Sequence, residues 1–180
     1  MNYKILRERP ADDSLIEPLL DRCFGFDRHH KTVYRLREGL APMGNLSFVA
    51  LAHDDGLLGS LRFWSVRIGA APAILLGPLA VEPALQGRGI GRGLLRHGLI
   101  QAKDQDAKIC VVVGAPGYYA PFGFEKAGRH GLILPGPVEP ERFQMLEIVS
   151  GALAGVTGPI GRAEDKNARP RRSLRSASAA

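Results

Sequence analysis

Four glycines at alternate positions, Gly87, Gly89, Gly91 and Gly93 in LQGRGIGRGLL, constrain this chain more than any other feature. Each glycine costs conformational order on folding, so this density demands a close approach by something. The run lies between the apolar stretch AILLGPLAV and a helix-like segment reaching about Lys103. A buried strand that passes through backbone without side chains into a helix N-terminus makes an anion site. Successive N–H groups converge there, and the helix dipole favours negative charge. Spacing narrows the kind of anion. A P-loop needs Gly-Lys-Ser/Thr after its glycines, whereas Gly91 and Gly93 are followed by Arg92 and Leu94. The dinucleotide pattern G-x-G-x-x-G fails in every register, because its third glycine would fall on Arg92, Leu94 or Arg96. A tight strand–helix connection alone would need one or two glycines, not four.

The remaining segments place this turn in a mixed fold. NYKILRE reads as a short opening strand. Asp12 or Asp13 is positioned to cap a helix over SLIEPLLDRCF, with Leu15, Leu19, Leu20, Cys23 and Phe24 as its apolar stripe and Pro18 inside it. RHHKTVYRLREG reads as a second helix ending at Gly39, with Arg35 and Arg37 near its C-terminus, where cations suit the dipole. LSFVALAH and LLGSLRFWSVRIG, joined across Asp-Asp-Gly, give a hairpin signal. AILLGPLAV is apolar throughout, as for a strand buried on both faces. Beyond the glycine helix come a strand in KICVVVG and a loop or short helix through APGYYAPFGF. The proline-rich HGLILPGPVEPE reads as loop, and a last strand lies around RFQMLEIVS. Without strict βαβ alternation, the order predicts an α/β or α+β class with one central sheet.

A length of 180 residues allows one domain with a real core. The net charge of +6 is concentrated: residues 162–180 hold Arg162, Lys166, Arg169, Arg171, Arg172 and Arg175 against Glu164 and Asp165, or +4 of the total. This Ser, Ala and Arg-rich end cannot bury a core and reads as a disordered, solvated tail, with attachment to RNA, a membrane surface or a partner as the competing reading. Nucleic acid is not expected as a partner of the body. No apolar run approaches the roughly 20 residues of a bilayer crossing, and MNYKILRERPADDS lacks the apolar core of a secretory signal. A cytoplasmic protein without a membrane partner is expected. Cys23 and Cys110 match no metal spacing and read as buried small hydrophobes. The five histidines form no H-E-x-x-H or Cys/His set, so no metal is expected, and Gly59-Ser60 starts no G-x-S-x-G elbow.

Residues 86–91, Q-G-R-G-I-G, resemble the Gln/Arg-x-x-Gly-x-Gly/Ala turn of the GCN5-related N-acetyltransferase (GNAT) family. GPLAVEPALQGRGIGRGLL is similar to that family's coenzyme-A-binding strand, turn and helix. GYYAPFGF resembles its later segment, in which a tyrosine precedes Gly-Phe by four. The resemblance covers roughly residues 3–150, leaving 151–161 as a connecting segment before the tail. It implies a single domain whose central, mostly antiparallel sheet is flanked by helices and carries a splayed cofactor-binding strand. The activity implied is that of an acyltransferase moving an acetyl group directly from acetyl-CoA, as co-substrate, to a primary amine of a small molecule or peptide.

The resemblance also implies the site residues. The backbone of Leu79, Ala80 and Val81 would meet the pantetheine arm, and Gln86, Gly87, Arg88, Gly89, Ile90 and Gly91 would form the pyrophosphate turn. Arg88 and Arg92 would add charge-assisted contacts. Tyr119 would donate to the leaving sulfur, with Tyr118 as its alternative if the register slips by one. Many family members carry an asparagine ahead of this tyrosine. VVVGAPGYY has none, so that contact is missing or is made by backbone around Gly114. An acyl-CoA-binding module without turnover is the alternative function, and a homodimer is left open. No general base is readable. Glu82 reads as a turn residue outside the sheet, His29 and His30 as surface, and Arg62, Trp64 and Arg67 as a face that is either cleft-lining or solvated. Water-relayed deprotonation needs no dedicated base.

Overall fold

The computed structural model describes residues 2–163. The basic tail expected over residues 162–180 therefore lies, beyond Ala163, outside the described residues. In chain order the strands are β1 (Lys4–Arg7), β2 (Phe48–Leu51), β3 (Leu57–Ile68), β4 (Ala71–Val81), β5 (Ile109–Val113), β6 (Glu125–Lys126), β7 (Leu132–Ile133), β8 (Phe143–Glu147) and β9 (Gly158–Arg162). The helices are α1 (Asp13–Phe24), α2 (Thr32–Arg35), α3 (Ile90–Asp104) and α4 (Pro116–Tyr119). The main sheet runs β1-β2-β3-β4-β5-β8-β6, and every neighbouring pair in it except β4–β5 is antiparallel. This is the mixed, mostly antiparallel architecture that the family resemblance implies.

Period-2 alternation divides the central strands between two layers. Phe48 and Ala50 of β2 join the cluster around Ile90, Leu94 and Leu95 of α3. Val49 and Leu51 join the cluster around Ile16, Leu19 and Leu20 of α1. The two helices thus cover opposite faces. α3 is pressed hard onto its face: a Cβ on Gly98 would stand 2.7 Å from Leu61 and 2.8 Å from Phe63.

Several local expectations are corrected. Leu15 is 51% exposed, because the stripe of α1 is set by Ile16, Leu19 and Leu20 and Leu15 lies off that face. Asp12 precedes α1 without capping it. Its carboxylate instead accepts the backbone N–H and guanidinium of Arg9, each at 2.8 Å. The helix expected over residues 28–39 is reduced to the single turn α2, preceded by a 3-10 turn at Phe26–His30. Extended backbone at Lys31 separates the two pieces. The segment 151–161, expected to be a connection, contributes most of β9, which pairs with β3 at Val66–Ile68. Within the loop expected around HGLILPGP, β7 pairs in parallel with β9.

The sheet opens at one place. Among the described residues, β4 and β5 are bonded only at Ile74–Cys110 and Leu75–Val111. On its other side β4 stays paired with β3 as far as Val81. Between the pairs Leu61–Leu79 and Phe63–Leu76, β4 carries one residue more than β3. Such a bulge bends the strand and increases its twist. Beyond it, β4 leaves β5 and the gap becomes a cleft.

Candidate active site

The cleft has a volume of about 1540 Å³. One wall is the parted end of β4 (Leu76, Gly77, Pro78, Leu79, Val81), and the facing wall comes from the end of β5 with Tyr118 and Tyr119 of α4. Its mouth is the glycine turn. Of the residues expected at the cofactor, Leu79, Val81, Gln86, Gly87, Gly89, Ile90, Gly91 and Arg92 line this one space. Ala80 and Arg88 do not. The Ala80 side chain alternates to the opposite face and packs on α1, and Arg88 stands out in solvent.

The four glycines divide into two pairs with different work. Gly87 and Gly89 have φ of +78° and +86°, and a Cβ on either would meet nothing within 4 Å. Their requirement is conformational, and the space beside them is open to a ligand. The next two are close-packing positions. A Cβ on Gly91 would stand 2.6 Å from the Tyr118 hydroxyl, and one on Gly93 would stand 2.3 Å from the Tyr3 hydroxyl. The first helical hydrogen bond runs from the Gly93 N–H to the Gly89 carbonyl at 2.9 Å. The amides before it therefore stand at a helix N-terminus without ladder partners. With Arg92 on the cleft wall, this end suits a phosphate-bearing group.

Gln86 donates through Nε2 to the Val81 carbonyl at 3.2 Å, closing the loop back onto the strand. The Cys23 thiol donates to the same carbonyl at 3.3 Å. Cys23 is half-buried, Cys110 is fully buried, and both are free thiols. Glu82 lies outside the sheet in an ion pair with Arg22 at 2.8 Å, so it is a structural turn residue.

Tyr119 is 8% exposed and lines the cleft. Its ring is held edge-on to Tyr118 and Phe124, with centroids 5.0 and 5.5 Å away. It fills the space over Gly114, where a Cβ would come within 2.2 Å of the ring. Both Gly114 backbone groups are taken: its N–H donates to Arg142 at 2.9 Å and its carbonyl accepts from Gln144 at 3.1 Å. Gly114 thus seats Tyr119, with its own backbone groups engaged within the protein. Burial raises the Tyr119 phenol well above its ordinary value, so it stays protonated through the neutral range. Burial also raises Tyr118, but that hydroxyl abuts the turn at Gly91.

The strand face holding Arg62 and Trp64 is buried rather than solvated. Trp64 donates through Nε1 to the Gly77 carbonyl at 2.7 Å, and Arg62 binds Glu8, Asp13 and Glu17. His30 lines the cleft, and the exposed His29 stacks edge-on against Tyr34. The sequence reading missed Tyr34 and Arg37 on the cleft wall. Its only signal for Arg37 was a cation near a helix end. Among the described residues, no group of three or more His, Cys, Asp or Glu side chains is placed to hold a metal ion. No helix among them is long and apolar enough to cross a membrane.

Residues 44–126 match the family model described as an acetyltransferase (GNAT) domain. The chain is 33% identical over 156 residues to the uncharacterized N-acetyltransferase YhbS of Escherichia coli, covering 85% of this chain and 92% of that protein. The crystal structure of Escherichia coli YhbS in complex with CoA superposes with a TM-score of 0.76 at 30% identity, over 89% of each chain. A GNAT-family acetyltransferase from Brucella melitensis, solved in complex with acetyl-CoA, superposes with a TM-score of 0.67 at 30% identity, over 90% of this chain and 96% of that one. This chain therefore belongs to the GNAT family of N-acetyltransferases.

Proposed function

We propose that the cleft binds acetyl-CoA and that the protein transfers its acetyl group directly to a primary amine, with Tyr119 attending the leaving sulfur. One observation carries this reading. The unpaired end of β4, the left-handed glycines before α3 and the buried phenol of Tyr119 all face one cleft. The residues fit the donor. Amides at the start of α3 and Arg92 meet its phosphates, the β4 edge between Leu76 and Val81 meets its extended arm, and the apolar cleft wall excludes water from the reacting end. When bound, acetyl-CoA supplies a thioester whose carbonyl the amine nitrogen attacks. A C–N bond forms, the C–S bond breaks, and the amine's proton leaves to water. Tyr119 donates a hydrogen bond to the departing sulfur, which lowers the cost of the charge that develops there.

The test is release of free CoA thiol from acetyl-CoA in the presence of a panel of amines. Wild type is expected to turn over at least one amine. Tyr119→Phe is expected to lower kcat by about 100-fold or more with the Kd for acetyl-CoA kept. Wild-type kcat in that variant would remove Tyr119 from the reaction. Tight binding without turnover on any amine would make the site a binding module.

A further inference from the structure

Among the described residues three arginines are deeply buried, and they are not treated alike. Arg62 is bound by Glu8, Asp13 and Glu17, and Arg28 by Glu17 and Asp21. Arg37, 8% exposed, forms no ion pair with a carboxylate among the described residues. Its Nε is buried without a hydrogen-bond partner, as is the hydroxyl of neighbouring Tyr34. The guanidinium lies 4.7 Å from the Tyr34 ring centroid and 5.8 Å from that of Trp64. It abuts Gly77 at the β4 bulge, where a Cβ would stand 3.2 Å from Nη2. Burial pushes its pKa down to about 10, so it remains a cation at neutral pH. A largely buried cation with no carboxylate partner is unfavourable. A buried polar group left unsatisfied calls for an explanation, and a bound ligand that completes the set is one.

The position of Arg37 indicates which ligand. Together with Tyr34 and Pro78 it lines both the donor cleft and a second cavity of about 390 Å³. The second cavity lies away from the glycine turn, against Leu20, His29 and Trp64, and its volume suits a small metabolite. Arg28, Arg35 and Arg62 share its wall with Glu17 and Glu38, but Arg28 and Arg62 are already held by carboxylates, which leaves the Arg37 guanidinium, beside Pro78 at the donor cleft, to meet a ligand. A single carboxylate matches one planar guanidinium in charge and in geometry.

We infer that the acceptor is a small amine bearing a carboxylate, seated in the second cavity with that carboxylate on Arg37 and its amine directed past Pro78 to the donor cleft. This rests on the acetyltransferase reading above, which the experiment tests separately. Trp64 is the chain's single tryptophan and its ring adjoins Arg37, so its fluorescence reports on this cavity without turnover. The full chain, saturated with CoA, is titrated with α-amino acids and with their carboxamides. Free acids are expected to give a saturable response, amides none, and Arg37→Met is expected to abolish it. With acetyl-CoA, kcat/KM for a free acid should fall roughly 10- to 100-fold in Arg37→Met, through KM. Arg37→Lys should recover part of this, and turnover of amines without a carboxylate should fall less than that of the free acids.

Wild type responding equally to acids and amides, or to neither, would overturn the inference. So would Arg37→Met lowering kcat for all amines alike, which would place the guanidinium at the thioester or in the fold. If Arg37→Met does not fold, the acid-against-amide comparison on wild type and Arg37→Lys decides. An acid-specific response without thiol release from any amine would instead overturn the acetyltransferase reading and leave the Arg37 site standing.

Discussion

The seam between β4 and β5 has two ends of the same apolar texture and opposite use. At Ile74 and Leu75 the strands are bonded to Cys110 and Val111, and the side chains are buried on both faces. From Leu76 to Val81 the β5 partner is gone, and β4 walls a cleft instead. Nothing in the run AILLGPLAV marks the change except Gly77-Pro78, which sits at the bulge. Continuous apolarity therefore does not distinguish core from ligand wall. Backbone pairing does, because a strand with one free edge offers hydrogen-bonding groups that a doubly paired strand has already used.

Variants at the two ends should separate stability from binding. At the closed end, Leu75→Ala removes a fully buried side chain and is expected to cost about 2–5 kcal/mol in urea unfolding. The calorimetric Kd of its folded fraction for acetyl-CoA should match wild type, and weakened binding at unchanged stability would reverse the assignment of the ends. At the open end, Gly89→Val forces a β-branched residue to φ +86°, at a cost of about 1–2 kcal/mol. It also fills the ligand side of the turn, so acetyl-CoA affinity should drop about tenfold or more. Affinity retained in that variant would mean that the turn does not hold the donor. The smallest effect lies just inside α3. Gly91→Ala sets its methyl against the Tyr118 hydroxyl and should cost about 1 kcal/mol. Tyr118→Phe in the same chain should restore it in urea unfolding, and a failure to rescue would show that the cost does not arise at the Tyr118 hydroxyl.

Local patterns made much of this legible. The Asp-Asp-Gly hairpin, the doubly buried β4, the glycine turn into α3 and the strand in KICVVVG all follow from periodicity or turn chemistry within the segment itself. What the sequence could not convey is what distant segments bring to one another. The partners of Gly91 and Gly93 are Tyr118 and Tyr3, far along the chain in both directions, so four like residues looked like one device. β9, in GPIGR, has one buried apolar residue, Ile160, and forms because β3 outruns β2 and leaves an edge at Val66–Ile68. Arg37 looked like a cation at a helix end. It becomes a site residue only because α2 is a single turn and the chain beyond it delivers the guanidinium beneath the β4 bulge.

The central claim is that acetyl-CoA occupies the open end of the seam and the glycine turn. Titration of acetyl-CoA into ¹⁵N-labelled protein, followed by amide chemical shifts, tests it residue by residue. Saturable shifts are expected at Leu79–Val81 and Gly87–Arg92, with Ile74, Leu75, Cys110 and Val111 little changed. Binding that leaves the Gly87–Arg92 amides unmoved, or shifts centred on the closed end, would contradict it.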